Sequence, residues 1–133
     1  MGGGATGSEV ALHLTDNACQ VTIVEMLPKV GKQLESMTRK VLLKRLKSRG
    51  VQMLTETRVK RVEDNGVVVV DKEENEMFLE ADRVIIAIGT RPDNTLYEQI
   101  KSKGYEIHRI GDCLEPRSAK AAIYEGAVLG RSI

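Results

Sequence analysis

Gly2, Gly4 and Gly7 fall at the spacing G-x-G-x-x-G within Gly2-Gly3-Gly4-Ala5-Thr6-Gly7. That spacing suits a backbone that grips two linked phosphates. The first glycine allows a tight turn. The second lets the main chain approach a pyrophosphate with no Cβ in the way, and the third lets the following helix pack closely. The amides around Ala5 and Thr6 would then point at the phosphates, helped by the positive end of the helix dipole. Glu25 stands 23 residues after Gly2, near the roughly 20 residues at which a carboxylate takes the ribose hydroxyls of a dinucleotide. The glycines alone are a weak signal, since a loose terminus can also be glycine-rich. Their agreement with a helix, a strand and an acid in the right order gives them weight.

Glu25 also bears on which dinucleotide is held. A carboxylate there accepts from ribose hydroxyls and repels a 2′-phosphate. Met26-Leu27-Pro28 offers no arginine to receive that phosphate. NAD(H) is therefore favoured over its phosphorylated form. Lys29 and Lys32, close by, keep the second reading open.

These residues need elements to place them. Val10, Ala11 and Leu14 repeat at helical spacing, so Ser8 to Leu14 reads as a helix that stops at Asp16-Asn17. Cys19 to Val24 reads as a buried strand. Leu34, Met37, Val41, Leu42 and Leu46 mark a second amphipathic helix, with Gly50 as its C-terminal cap. Val51 to Leu54 is a short strand. Arg58–Glu63, Val67–Asp71 and Met77–Leu79 then read as an antiparallel meander, its first hairpin turning at Asn65-Gly66 with positive φ at both residues. Arg83 to Ile88 and Glu106 to Ile110 are further strands, and Thr95–Lys103 and Ser118–Leu129 are helices. The class is α/β: a Rossmann-like parallel sheet with an antiparallel β-meander, the first strand missing.

Composition removes several classes. The chain has 133 residues, 41% hydrophobic and 29% charged, as in an ordinary globular domain. Twenty basic residues oppose 19 acidic ones, with the two signs interleaved. No basic block marks a phosphate-backbone footprint, and aromatics are 3%, so nucleic acid is not an expected partner. No apolar run is long enough to span a bilayer, and Met1-Gly2-Gly3-Gly4 has no secretory pattern, so no membrane partner is expected. Cys19 and Cys113 form neither a CxxC pair nor a metal cluster, so no metal site is expected and the default setting is cytoplasmic.

Four segments in order carry a resemblance: Gly2–Glu9 (GGGATGSE), Val21–Glu25 (VTIVE), Ala87–Pro92 (AIGTRP) and Gly111–Arg117 (GDCLEPR). Together they resemble the C-terminal half of the NADH:flavin oxidoreductases related to enoate reductase and 2,4-dienoyl-CoA reductase. More broadly they resemble the pyridine nucleotide-disulfide oxidoreductases. The GDCxxPR segment followed by Ala122, Glu125 and Gly126 points to the enoate-reductase side.

The resemblance implies a domain for NAD(H) over residues 1–90 and a C-terminal piece of an FAD-binding domain over 91–133. It implies that Glu9 lies near the nicotinamide carboxamide; the plain alternative is an exposed carboxylate in the first helical turn. It implies that the chain leaves the first domain at Gly89-Thr90-Arg91-Pro92. It implies that Asp112, beside Gly111, binds the FAD ribityl chain in the full-length parent, with the helix from Ser118 aimed at the flavin; the FAD site is expected to be incomplete in this chain. Full-length relatives pass hydride from NADH to FAD, then electrons through a 4Fe-4S cluster to FMN. No cysteine cluster and no barrel-sized segment for those later groups is present in this chain. No catalytic residue is therefore expected here; the fragment alone is expected to be inactive.

Only Met1 precedes Gly2, so the strand that would present the glycine loop is expected to be missing. Either the loop then lacks fixed structure, or another strand backs it. Glu106–Ile110 is the candidate, inserted within the chain or exchanged between two copies to give a homodimer. The remainder of a parent flavoprotein is the other expected partner. Against the cofactor-domain reading stands a non-catalytic dinucleotide-binding or interaction module. A redox-disulfide fragment is disfavoured by the cysteine pattern.

Overall fold

The computed structural model describes residues 1–133, which divide into two compact units, Met1–Gly89 and Thr90–Ile133. In the first unit, α1 (Ala5–Asp16) leads into β1 (Thr22–Val24), and α2 (Ser36–Ser48) leads into β2 (Gln52–Leu54). β1 and β2 pair in parallel, Thr22 opposite Gln52 and Val24 opposite Leu54. A parallel pair needs a crossover, and α2 supplies it. Ala11 and Leu12 of α1, Ile23 of β1, Leu46 of α2, Val30 and Val51 form one buried cluster. Each helix thus buries a single stripe against the sheet.

Two helix boundaries differ from the sequence pattern. α1 begins at Ala5 rather than Ser8, because Gly4 in extended conformation serves as its N-cap. Glu9 therefore lies in the second turn, not the first. In α2 the packed residues are Leu42, Leu43 and Leu46, whereas Met37 and Val41 are exposed. The helix is rotated from the apolar stripe read in the sequence, since three leucines bury more surface than a methionine and a valine.

The ends of α2 follow local chemistry. The Glu35 carboxylate accepts from the Met37 and Thr38 amides at 2.9 and 3.1 Å, which holds its pKa down to about 2. Gly50, at φ +72°, lets the chain turn out of the helix, and Val51 N–H donates back to Leu46. Arg49 pairs with Asp16, joining the C-terminal ends of the two helices.

The meander forms as read, in the order β3 (Arg58–Glu63), β4 (Gly66–Val70) and β5 (Glu76–Glu80). All five residues of the central strand β4 are buried. Val67 and Val69 join Val24 in a second cluster. The first hairpin differs in detail. Glu63 pairs with Gly66, so Asp64 and Asn65 are the turn, and neither has positive φ. Gly66 is needed for a different reason: a Cβ there would collide with the Leu79 carbonyl on β5 and lie 2.8 Å from the Phe78 ring.

Two expected strands do not form. Arg83–Ile88 forms no ladder; Ile85 accepts from the Met1 amine and Ala87 N–H donates to Met1, and Ile86 and Ile88 are exposed. On the other side, Gly2 N–H donates to Val24 at 2.9 Å. Met1 and Gly2 thus bridge β1 and the 85–87 segment, and two residues are too few to make the segment a strand. In the second unit, α3 (Thr95–Ile100), a 3₁₀ turn (Gly111–Cys113) and α4 (Ala119–Leu129) contain no buried residue. Glu106–Ile110 pairs with nothing there and stays irregular, because a strand exists only where a neighbour takes its amides and carbonyls.

Candidate functional site

The glycine loop is ordered, and each glycine meets a distinct constraint. Gly2 has φ +93°, and a Cβ on it would fall on the Ala87 carbonyl. A Cβ on Gly7 would fall on the Gly2 carbonyl, so α1 packs directly against the loop. At Gly4 the nearest atom to such a Cβ is Gln33 Oε1 at 3.8 Å, so one side of the backbone is open. The amides of Ala5, Thr6 and Gly7 have no acceptor within the chain. No side chain caps α1 and no acid lies in its first turn. The result is an uncapped helix start, with its partial positive charge, beside an approachable backbone. Glu9 is exposed one turn further along.

Gly3, which sequence spacing treats as a free position, is the hub of the loop. It is buried, and a Cβ would lie 3.1 Å from Glu25, Ile23 and Val30 side-chain atoms at once. Its carbonyl accepts from Gly31 N–H at 2.7 Å and from the fully buried Ser8 hydroxyl at 3.4 Å. Gly31 sits at φ +67° against Arg39, whose Nε donates to the Val30 carbonyl at 2.8 Å. The segment after β1 is therefore tied to the glycine loop by main-chain bonds. A motif of spaced glycines carries no signal for Gly3, Ser8 or Gly31.

Glu25 differs from its sequence reading in one respect. Its carboxylate does not hang free at a strand end but is 8% exposed. Oε2 accepts from Gly3 N–H at 2.6 Å and Oε1 from Leu27 N–H at 2.8 Å. Each oxygen has a second lone pair left for another donor. Its own amide donates to Leu54 and its carbonyl accepts from Thr57, which fixes it at the carboxyl ends of β1 and β2. Next to it, Met26 and Pro28 line a hollow of about 280 Å³ with Glu56, Arg58, Lys72 and Glu74. That falls just below the roughly 300–1,000 Å³ of small-molecule sites. Lys29 and Lys32 are exposed.

The remaining expected residues lie at the end of the first unit and in the second. Gly89, at the last position of the first unit, has φ +92° and open space around it. Gly111 starts the 3₁₀ turn at φ +62°, and the exposed Asp112 carboxylate has no partner in the chain. The Ser118 hydroxyl caps α4 by accepting from Ala121 N–H at 3.3 Å. Cys19 and Cys113 are both free, and the Cys113 thiol contacts Asn94 Oδ1 at 3.3 Å. No group of three or more His, Cys, Asp or Glu residues converges on a point. No helix is long and apolar enough to cross a membrane.

Residues 1–112 match the family model described as pyridine nucleotide-disulphide oxidoreductase. The chain is 34% identical over 115 residues to a bilirubin reductase of Mediterraneibacter gnavus, covering 86% of this chain and 18% of that protein. It is 34% identical over 113 residues to an NADH oxidase of Thermoanaerobacter brockii, covering 84% and 17%. It is 33% identical over 117 residues to a dihydrolipoyl dehydrogenase of Mycobacterium leprae, covering 86% and 23%. Among solved structures, the fold is shared with 2-naphthoyl-CoA reductase at TM-score 0.84, 22% identity and 99% of this chain against 20% of that one. It is shared also with histamine dehydrogenase from Rhizobium sp. 4-9, at TM-score 0.87, 16% identity and 98% against 22%. The chain spans less than a quarter of the length of these relatives.

Proposed function

The chain belongs to the pyridine nucleotide-disulphide oxidoreductases, and from that premise we propose that it is the NAD(H)-holding part of a flavin-dependent oxidoreductase. One observation carries the reading. The unpaired amides of Ala5, Thr6 and Gly7 open beside the bare backbone of Gly4, with Glu25 anchored behind them. That is a built receptor for a pyrophosphate with an acid for the adjoining ribose. The adenine end would use the hollow lined by Met26 and Pro28. Glu9, one turn along α1, would face the nicotinamide end. The nicotinamide supplies the hydride when bound; the chain's residues bind and orient it.

NAD(H) is preferred to the phosphorylated form, because the Glu25 carboxylate leaves no room for a second negative charge. Gly89, Gly111 and Asp112 would serve the flavin side, Asp112 offering its unpartnered carboxylate to a ribityl hydroxyl of FAD. The parent enzyme in this proposal is an NADH:flavin oxidoreductase of the enoate or dienoyl-CoA reductase kind. FMN and a 4Fe-4S cluster would belong to its other parts. The fold shared with 2-naphthoyl-CoA reductase supports this without identifying a substrate. The exposed Leu96, Ile123, Tyr124 and Val128 fit a unit that packs on the remainder of such a protein. A cytoplasmic setting suits the two free cysteines.

Calorimetric titration of the chain with NADH and NADPH tests the reading. NADH should bind more tightly, and Gly4→Ala should abolish binding with only a small fall in melting temperature, since its Cβ meets no protein atom closer than 3.8 Å and the change weakens only the N-cap of α1. Normal NADH binding by Gly4→Ala would sink the proposal. If neither dinucleotide binds, the non-catalytic module is the better description.

A further inference from the structure

The Gly111–Asp112 turn is held at its N–H by a carboxylate fourteen residues away. Gly111 N–H donates to Glu125 Oε2 at 2.7 Å. The other oxygen, Oε1, takes the Arg117 guanidinium, and the Glu125 side chain is only 19% exposed. The Gly111 carbonyl in turn accepts from Leu114 and Glu115 N–H, both at 3.0 Å. Beneath, Ala122 lies 3.3 Å from where a Gly111 Cβ would be, and φ is +62°. Every polar group of Gly111 is thus committed, while Asp112 beside it is committed to nothing. Arg117 is shared between Glu125 and Glu115, so Asp112 is the carboxylate of the turn with no cation beside it.

From this juxtaposition we propose that Glu125 is a positioning residue for Asp112. A carboxylate reaching back from the middle of α4 fixes the Ile110–Gly111 peptide, while the Leu114 and Glu115 amides hold the Gly111–Asp112 peptide, so the backbone that carries Asp112 is set before a ligand hydroxyl arrives. Pre-set geometry of this kind lowers the ordering cost of binding. The flavin part of the inference rests on the reading given under Proposed function.

The test uses the ¹⁵N-labelled 133-residue chain. Glu125→Ala should speed hydrogen exchange at the Gly111 amide by about 10- to 100-fold, the worth of one hydrogen bond to a charged acceptor. Glu125→Gln, which keeps an acceptor oxygen, should restore most of the protection. In an FAD titration followed by flavin fluorescence, Glu125→Ala should weaken binding by about the same factor and Glu125→Gln by much less. Asp112→Asn should weaken it with Gly111 exchange unchanged. Unaltered Gly111 exchange in Glu125→Ala overturns the inference, as does full FAD affinity in that variant. Should Glu125→Ala lose the protection of α4 itself, Glu125→Asp, one methylene too short to reach, gives the same readout. If the wild-type chain takes up no FAD, the inference is overturned for this chain whatever the Gly111 exchange shows, and the NADH titration decides the proposed function separately.

Discussion

Glu25 has one duty in the structure and a second in the proposed function, and the two can be separated by measuring stability without any ligand. A ribose ligand at an exposed strand end can be removed from the free protein at little cost. Here the carboxylate also satisfies the buried Gly3 amide and the partly buried Leu27 amide, at 2.6 and 2.8 Å. Glu25→Ala orphans both. An unsatisfied buried donor costs about 1–3 kcal/mol, so the variant should lose roughly 2–5 kcal/mol. That is a large share of the roughly 5–15 kcal/mol that stabilises a domain. At about 4–8 °C per kcal/mol for a unit of this size, the melting temperature should fall by roughly 10 °C or more. Glu25→Gln keeps one acceptor oxygen and should lie between the two. The assay is urea or thermal unfolding of the first unit's helices by circular dichroism, with no dinucleotide present. NADH titration of each folded variant then follows. A Glu25→Ala melting temperature within experimental error of wild type would refute the reasoning, for the carboxylate would then be a ligand group and not a clamp on the loop.

Other outcomes follow from the same geometry. Gly7→Ala, unlike Gly4→Ala, drives a Cβ into the Gly2 carbonyl, so it should destabilise the chain by about 1–3 kcal/mol and abolish NADH binding together. Leu46→Ala, at a fully buried position against both helices' cluster, should cost about 2–5 kcal/mol in urea unfolding. Glu35 has its pKa lowered to about 2 by the amides of Met37 and Thr38. Its folded pKa lies below the unfolded value, so its stabilisation is full above about pH 4.3 and vanishes as pH falls toward 2. The gap in melting temperature between wild type and Glu35→Ala should close over that window; a constant gap would show that the cap acts through something other than charge. Light scattering during size-exclusion tests strand exchange: a dimer whose population rises with concentration is expected if Glu106–Ile110 pairs with a second copy, and a monomer throughout removes that proposal.

The glycine loop and its acid were legible in the sequence because their signals are local. Glycine at the second, fourth and seventh positions, a helix after them and an acid ending the next strand are short-range facts, and each describes the chain's own backbone. The meander and the glycine beyond α2 were legible for the same reason. Tertiary structure alone decided whatever depends on a distant partner. Gly3, Ser8 and Gly31 became the loop's centre only once β1 and the segment after it folded beneath. Glu25 turned inward because two amides converge on it. Arg83–Ile88 and Glu106–Ile110 have strand-like side chains yet form no ladder, since a ladder needs a neighbour to share hydrogen bonds, and propensity cannot provide one. Gly66 was placed correctly but for the wrong cause: its missing side chain makes room for a carbonyl on β5, a contact no dipeptide signal encodes.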